Sequence, residues 1–201
     1  MHTEIEAKFL DVDHDTMRGR LRDMGATCVM TERVMRRCNY DFPDKRLARE
    51  QHGWVRVRDE GDKVTLSYKQ NDDESLLGTQ EINVEVDSFD EMTAFLERIG
   101  MTKKTDQETT RESWRLGNIQ IELDHWPWTK PFLEIEALSE EDVRQTAKAL
   151  GLDWAAALHG SVSTVYQAEY DIEPSVVNND VTVMRFDMPI PAVLAEKQRT
   201  T

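Results

Sequence analysis

Positive charge is what this 201-residue chain has least of: 25 lysines and arginines stand against 39 aspartates and glutamates, for a formal net charge of −14. A field of that sign repels both the phosphates of nucleic acids and the anionic face of a bilayer. It argues against nucleic-acid polymers and membranes as partners. Long apolar runs are missing, and nothing approaches the roughly 20 residues of a membrane-spanning helix. Cysteine is scarce. Cys28 and Cys38 show neither CxxC nor metal-ligand spacing, and read as reduced thiols of a cytoplasmic protein. The opening Met-His-Thr-Glu-Ile-Glu has neither the basic start nor the apolar centre of a signal peptide, which carries the same expectation. The nine glycines form no P-loop and no GxGxxG. The five histidines, His2, His14, His52, His125 and His159, show no HxxH or HExxH spacing, so a zinc site is not expected. No serine or cysteine sits in a nucleophile signature.

What remains is enough for one domain with an appendage. Helical periodicity marks 15–24, 88–99 and 139–150. Ser88 and Glu91 have capping-box spacing, and Gly25, Gly100 and Gly151 follow the helix ends. Shorter helices are expected near 153–158 and 161–170. Period-2 alternation predicts strands at 3–10, 37–42, 53–59, 63–70, 79–86, 108–116, 118–124 and 132–137. Turns at Glu60-Gly61-Asp62 and Leu116-Gly117-Asn118 join four of these into hairpins. The class is α+β with mostly antiparallel strands, and about eight strands suffice to close a barrel. Residues 1–170 form the expected domain. Residues 171–201, with Pro174, Pro189 and Pro191, read as an extension packed on or trailing from it, with a strand at 181–186, a frayed end and no site chemistry.

The strands are sorted by sign. Side chains at i and i+2 share a face, so Glu4, Glu6 and Lys8 project together, as do Arg56 with Arg58, and Ser67 with Lys69. The same holds for Glu81, Asn83 and Glu85, for Gln120, Glu122 and Asp124, and for Glu134 with Glu136. One such strand is an ordinary solvated face. Six of them, with like charges recurring at short range, need opposite charge between them. A cavity that binds both a metal ion and a polyanion satisfies that need. Carboxylates suit Mg²⁺ or Mn²⁺, and arginine forks suit phosphate.

At this point the residues resemble a known family. Glu4-Ile5-Glu6-Ala7-Lys8 is similar to the N-terminal ExExK signature of the CYTH superfamily, the triphosphate tunnel metalloenzymes. In order after it come the segment around Tyr40, the RxR of Arg56 and Arg58, the basic strand with Lys69 and the acidic strand Glu81 to Glu85. Arg111 to Trp114, Leu123-Asp124, Phe132 to Glu136 and Ser163 to Tyr166 follow. The resemblance implies an eight-stranded antiparallel barrel with helices outside. It implies metal ligation by Glu4, Glu6, Asp124, Glu134 and Glu136. It assigns a small triphosphate substrate to Lys8, Arg56, Arg58, Lys69 and Arg111, with Lys103 or Lys104 as further candidates. Glu81, Glu85 and Glu122 become supporting acids or a second metal position. Lys8 and Tyr40 match positions linked to catalysis in the family, with Lys8 made less basic by its neighbours. A homodimer follows from family habit only. The chain departs from the pattern where Ser163, Thr164 and Val165 stand in a stretch that often carries a lysine, and where Trp114 replaces a common tyrosine.

Three functions follow from this reading. The first is a metal-dependent triphosphatase acting on inorganic triphosphate, thiamine triphosphate or a nucleoside triphosphate. The second is a class IV adenylyl cyclase, making cyclic AMP and pyrophosphate. The third is a non-catalytic polyphosphate-binding module, which the retained acids disfavour. Hydrolysis is preferred because no adenine pocket is legible. Trp126-Pro127-Trp128 reads as a packing wall in preference to a lid. Arg33, Arg36 and Arg37 read equally as a solvated turn or an anion guide.

Overall fold

The computed structural model describes residues 2–71 and 79–199, with side chains placed for 5–70 and 80–199. Nine strands form one sheet. They are β1 (His2–Leu10), β2 (Thr27–Asp41), β3 (Gly53–Asp59), β4 (Val64–Asn71), β5 (Thr79–Val86), β6 (Thr102–Leu116), β7 (Ile119–His125), β8 (Phe132–Ala137) and β9 (Val183–Met184). The first eight run β2-β3-β4-β5-β1-β8-β7-β6, all antiparallel, and β6 pairs back onto β2. The curled sheet therefore meets itself, as expected for an eight-stranded barrel. That last seam joins the two longest strands, from Thr27↔Arg115 to Asp41↔Thr102, with three register shifts along it.

The helices lie outside. They are α1 (His14–Asp23), α2 (Arg46–Gln51), α3 (Phe89–Arg98), α4 (Glu140–Ala149), α5 (Ser163–Glu169), α6 (Pro174–Asn179) and α7 (Ala192–Ala195), with a 3₁₀ turn at Trp154–Ala156. Side chains cap the main ones as the sequence suggests: Ser88 accepts from Glu91 N, and Ser139 from Asp142 N. At α2, which periodicity does not reveal, the buried carboxylate of Asp41 accepts from the Leu47 and Ala48 backbones. The turns Gly61 and Gly117 have φ of +90° and +59°, the region where glycine meets no Cβ penalty.

The hydrophobic core is not inside the ring. Ala7, Phe9, Trp114, Ile121, Leu123, Leu133 and Ile135 point outward and pack under Met17 and Leu21 of α1 and Val143 and Ala147 of α4. On another side Cys38, Tyr40 and Val57 pack under Phe89 and Leu96 of α3. Burying the apolar half of each strand outward leaves the polar half facing the lumen.

In a third cluster Trp126, Phe132, Val165, Tyr166 and Tyr170 pack with Val177, Val181, Met184 and Leu194 of the C-terminal segment. Its strand is only two residues long and pairs in parallel with Asp106 and Gln107 of β6. Arg185 bridges Asp106 and Glu108. The end is tied down through residue 199, where Arg199 N donates to Glu169 O. Both cysteines are free thiols. Among the described residues, no helix is long and apolar enough to cross a membrane.

Candidate active site

Strand parity and register bring the charged residues into one lumen. Glu6 and Lys8 of β1 face Glu136 and Glu134 of β8 directly, and Glu134 is level with Glu122 of β7. Asp124 of β7 is level with Arg111 of β6. Across the lumen Arg56 and Arg58 of β3 align with Ser67 and Thr65 of β4, and Lys69 with Glu81 of β5. The side chain of Glu4 lies outside the described residues, although its backbone belongs to β1.

The cations and acids are interlocked. The Lys8 ammonium, 3% exposed, donates to Glu6 Oε1 at 2.5 Å and to the Gly160 carbonyl at 2.7 Å, and lies 3.4 Å from Glu134. Arg111 grips Asp124 with two bonds and reaches Glu134 at 3.6 Å. Glu81 takes Arg56 at 3.1 Å and Lys69 at 3.4 Å. Arg58 is held by Glu60, which also accepts from Thr65.

Charge balance sets the protonation of each group. Burial alone would lower the proton affinity of Lys8, but Glu6 and Glu134 outweigh it and hold the ammonium protonated. This corrects the expectation that its neighbours make Lys8 less basic, because those neighbours are acids. Burial likewise pushes Glu134 up, yet Lys8, Arg111 and Lys69 bring it down to about 2. At Glu136 the compensation by Lys69 and Arg111 is only partial: burial, then Glu134 and Glu6, raise it to about 7. Glu122 is also raised, first by burial, and its Oε2 is buried without a hydrogen-bond partner.

These two acids decide whether a divalent cation fits. Among the described residues, no three acids, histidines or cysteines already converge as a metal cage. However, Glu122 is level with Glu134 and Glu136 with Glu6, and all offer the hard oxygens that Mg²⁺ or Mn²⁺ prefers. The donor set fits such an ion.

Tyr40 is not brought to this site. On β2 it is level with Val55 and packs outward against the α3 helix, whereas Arg37 and Asn39 are level with the lumen residues Arg58 and Arg56. The expectation of a tunnel tyrosine at Tyr40 fails on strand parity. Glu85 also lies apart, largely exposed and 4.0 Å from Lys63. Lys103 turns outward to Glu97 of α3, 3.9 Å away. Trp126 is buried, edge-on to Tyr166, and forms a wall as expected. Sequence reasoning missed Glu60, read as a turn residue, and the inward aim of Arg37. Extending the alternation of β2 back from Asn39 would have flagged Arg37.

Comparison with solved structures places this architecture among known ones. A protein described as a proposed adenylate cyclase from Vibrio parahaemolyticus aligns with a TM-score of 0.71 at 16% identity, covering 83% of this chain and 98% of that one. A proposed adenylyl cyclase from Hippeastrum, described as having a dominant triphosphatase activity, aligns at 0.57 and 18% identity, covering 82% and 95%. The PH1012 protein of Pyrococcus horikoshii aligns at 0.63 and 21% identity, covering 77% and 93%. At these identities the likeness shows the fold alone. No curated protein matches the sequence. The CYTH domain model matches residues 2–163, most of the chain. With that match and the ringed, charge-lined sheet, this chain belongs to the CYTH domain family of triphosphate-processing tunnel enzymes.

Proposed function

We propose that the protein is a divalent-metal-dependent triphosphatase that hydrolyses a phosphoanhydride bond of a small triphosphate held in the lumen. The observation that carries this reading is the meeting, in one lumen, of a buried carboxylate cluster, Glu6, Glu122, Glu134 and Glu136, with the arginines Arg56, Arg58 and Arg111. A pure anion binder gains nothing from buried acids beside its phosphates. Family members are triphosphatases or adenylyl cyclases that use divalent metal, which supports the reading.

In this mechanism Glu6, Glu134, Glu136 and Asp124 would hold the metal, with Glu122 supporting. The ion supplies Lewis-acid contact to phosphate oxygens. Arg56, Arg58, Lys69 and Arg111 bind and orient the phosphates and offset charge that grows on the leaving oxygen. Lys8, held as an ammonium, positions a phosphoryl oxygen and keeps Glu134 ionised. It is not the base. Product identification tests the reading. Orthophosphate from inorganic triphosphate, thiamine triphosphate or ATP supports it, and cyclic AMP with pyrophosphate selects the cyclase instead.

A further inference from the structure

Arg37 is unassigned by everything above, and its surroundings are unusual. It sits directly across from Arg58 on β3 and from Gln107 on β6, so its side chain belongs to the lumen face. Opposed like charges on neighbouring strands repel. Each nearby arginine has its own acid: Arg56 has Glu81, Arg58 has Glu60 and Arg111 has Asp124. Arg37 has no ion pair among the described residues, and its Nε is buried without a hydrogen-bond partner. Burial, then Arg56, Arg58 and Arg111, depress its proton affinity, and only Asp124, already clamped by Arg111, opposes them.

The guanidinium is nonetheless firmly placed. Its carbon lies 3.9 Å from the ring centre of Trp126. Trp126 packs edge-on to Tyr166, whose hydroxyl donates to the Pro127 carbonyl at 2.8 Å and lies 3.7 Å from the Met184 sulfur. Gln107 donates to the same sulfur at 3.5 Å. The C-terminal segment thus backs the platform on which Arg37 rests.

We propose that Arg37 binds a phosphoryl group of the substrate from the lumen face of β2, and that the Trp126 platform with its C-terminal backing orients it. This rests on the triphosphate reading above. An uncompensated, preorganised cation costs the empty protein stability and is repaid by a dianionic phosphoryl group.

The test uses the full chain in three forms: wild type, Arg37→Gln, which keeps a planar polar head over Trp126, and Arg56→Gln. Inorganic triphosphate is titrated calorimetrically in EDTA, so that turnover does not compete, and melting is followed with and without it. The proposal predicts at least tenfold weaker binding by R37Q. It also predicts a smaller triphosphate-induced rise in melting temperature, and ligand-free melting at or above that of wild type. Binding by R37Q within twofold of wild type, while R56Q binds weakly, overturns the role of Arg37 and leaves the triphosphate reading standing. A ligand-free R37Q that melts below wild type overturns it in favour of a structural role. Wild type that binds triphosphate neither in EDTA nor with Mg²⁺ overturns both readings.

Discussion

Arg111 Nε donates to Asp124 Oδ1 at 2.7 Å, and its Nη2 donates to Oδ2 at 2.5 Å, so the fork of one residue fills the carboxylate of the other. The two residues belong to opposite halves of the proposed chemistry, phosphate grip and metal ligation. They neutralise each other, and both are buried enough that either one alone is an unpaired charge.

Removing one partner should therefore cost more than removing both. Asp124→Ala or Arg111→Ala alone is expected to lose about 3–5 kcal/mol of stability, with the double variant markedly less destabilised than the sum. Urea melts of the four proteins measure this. Additive losses contradict the coupling.

Glu136 gives the metal-free protein a pH dependence. Its folded pKa, about 7, lies above its unfolded value of 4.5, so the folded state holds more protons between those values. Stability should then fall as pH rises from about 4.5 to 7, by roughly 2 kcal/mol from this group. Glu134, at about 2, acts in the opposite sense: its contribution is complete above 4.5 and is lost as pH falls toward 2. Glu136→Gln should flatten the upper slope only. Melts in EDTA across that range check it, and an unchanged slope between pH 5 and 7 would show that Glu136 is not the group responsible.

Tyr40→Phe should leave turnover within twofold of wild type, because the ring belongs to the outer core under the α3 helix. Steady-state kinetics on inorganic triphosphate decide this. A tenfold loss of kcat with unchanged melting would return Tyr40 to the chemistry.

Met184→Ala should destabilise the fold by about 2–5 kcal/mol, as for a buried side chain that leaves a cavity. A thermal melt showing no change would mean that packing around Met184 does not hold the C-terminal segment on the barrel.

How much of this the sequence disclosed depended on how cleanly each strand alternated. Gly53–Asp59, Thr79–Val86 and Phe132–Ala137 match their expected bounds, because polar and apolar residues alternate without interruption. The β2 strand was expected only from Arg37, yet it begins at Thr27. Register shifts between Cys28 and Met30, and between Met30 and Arg33, break its period. The β6 strand was expected from Glu108 and begins at Thr102, since Thr-Lys-Lys-Thr-Asp-Gln is polar on both faces and owes its extension to pairing with β2. Tyr40 and Arg37 exchanged places for a related reason. Motif resemblance located the right strand, but only register shows which of its faces meets the lumen. The C-terminal segment was illegible because its strand and helices are short and are held by tertiary packing around Met184 and Leu194.

The most direct measurement is release of orthophosphate from inorganic triphosphate with Mg²⁺ or Mn²⁺, run on wild type, Glu134→Gln and Arg56→Gln with EDTA controls. The account predicts turnover by wild type that EDTA abolishes and that falls at least a hundredfold in either variant, with both variants folded. Tight metal-independent binding of triphosphate without turnover, or turnover indifferent to both substitutions, would contradict it.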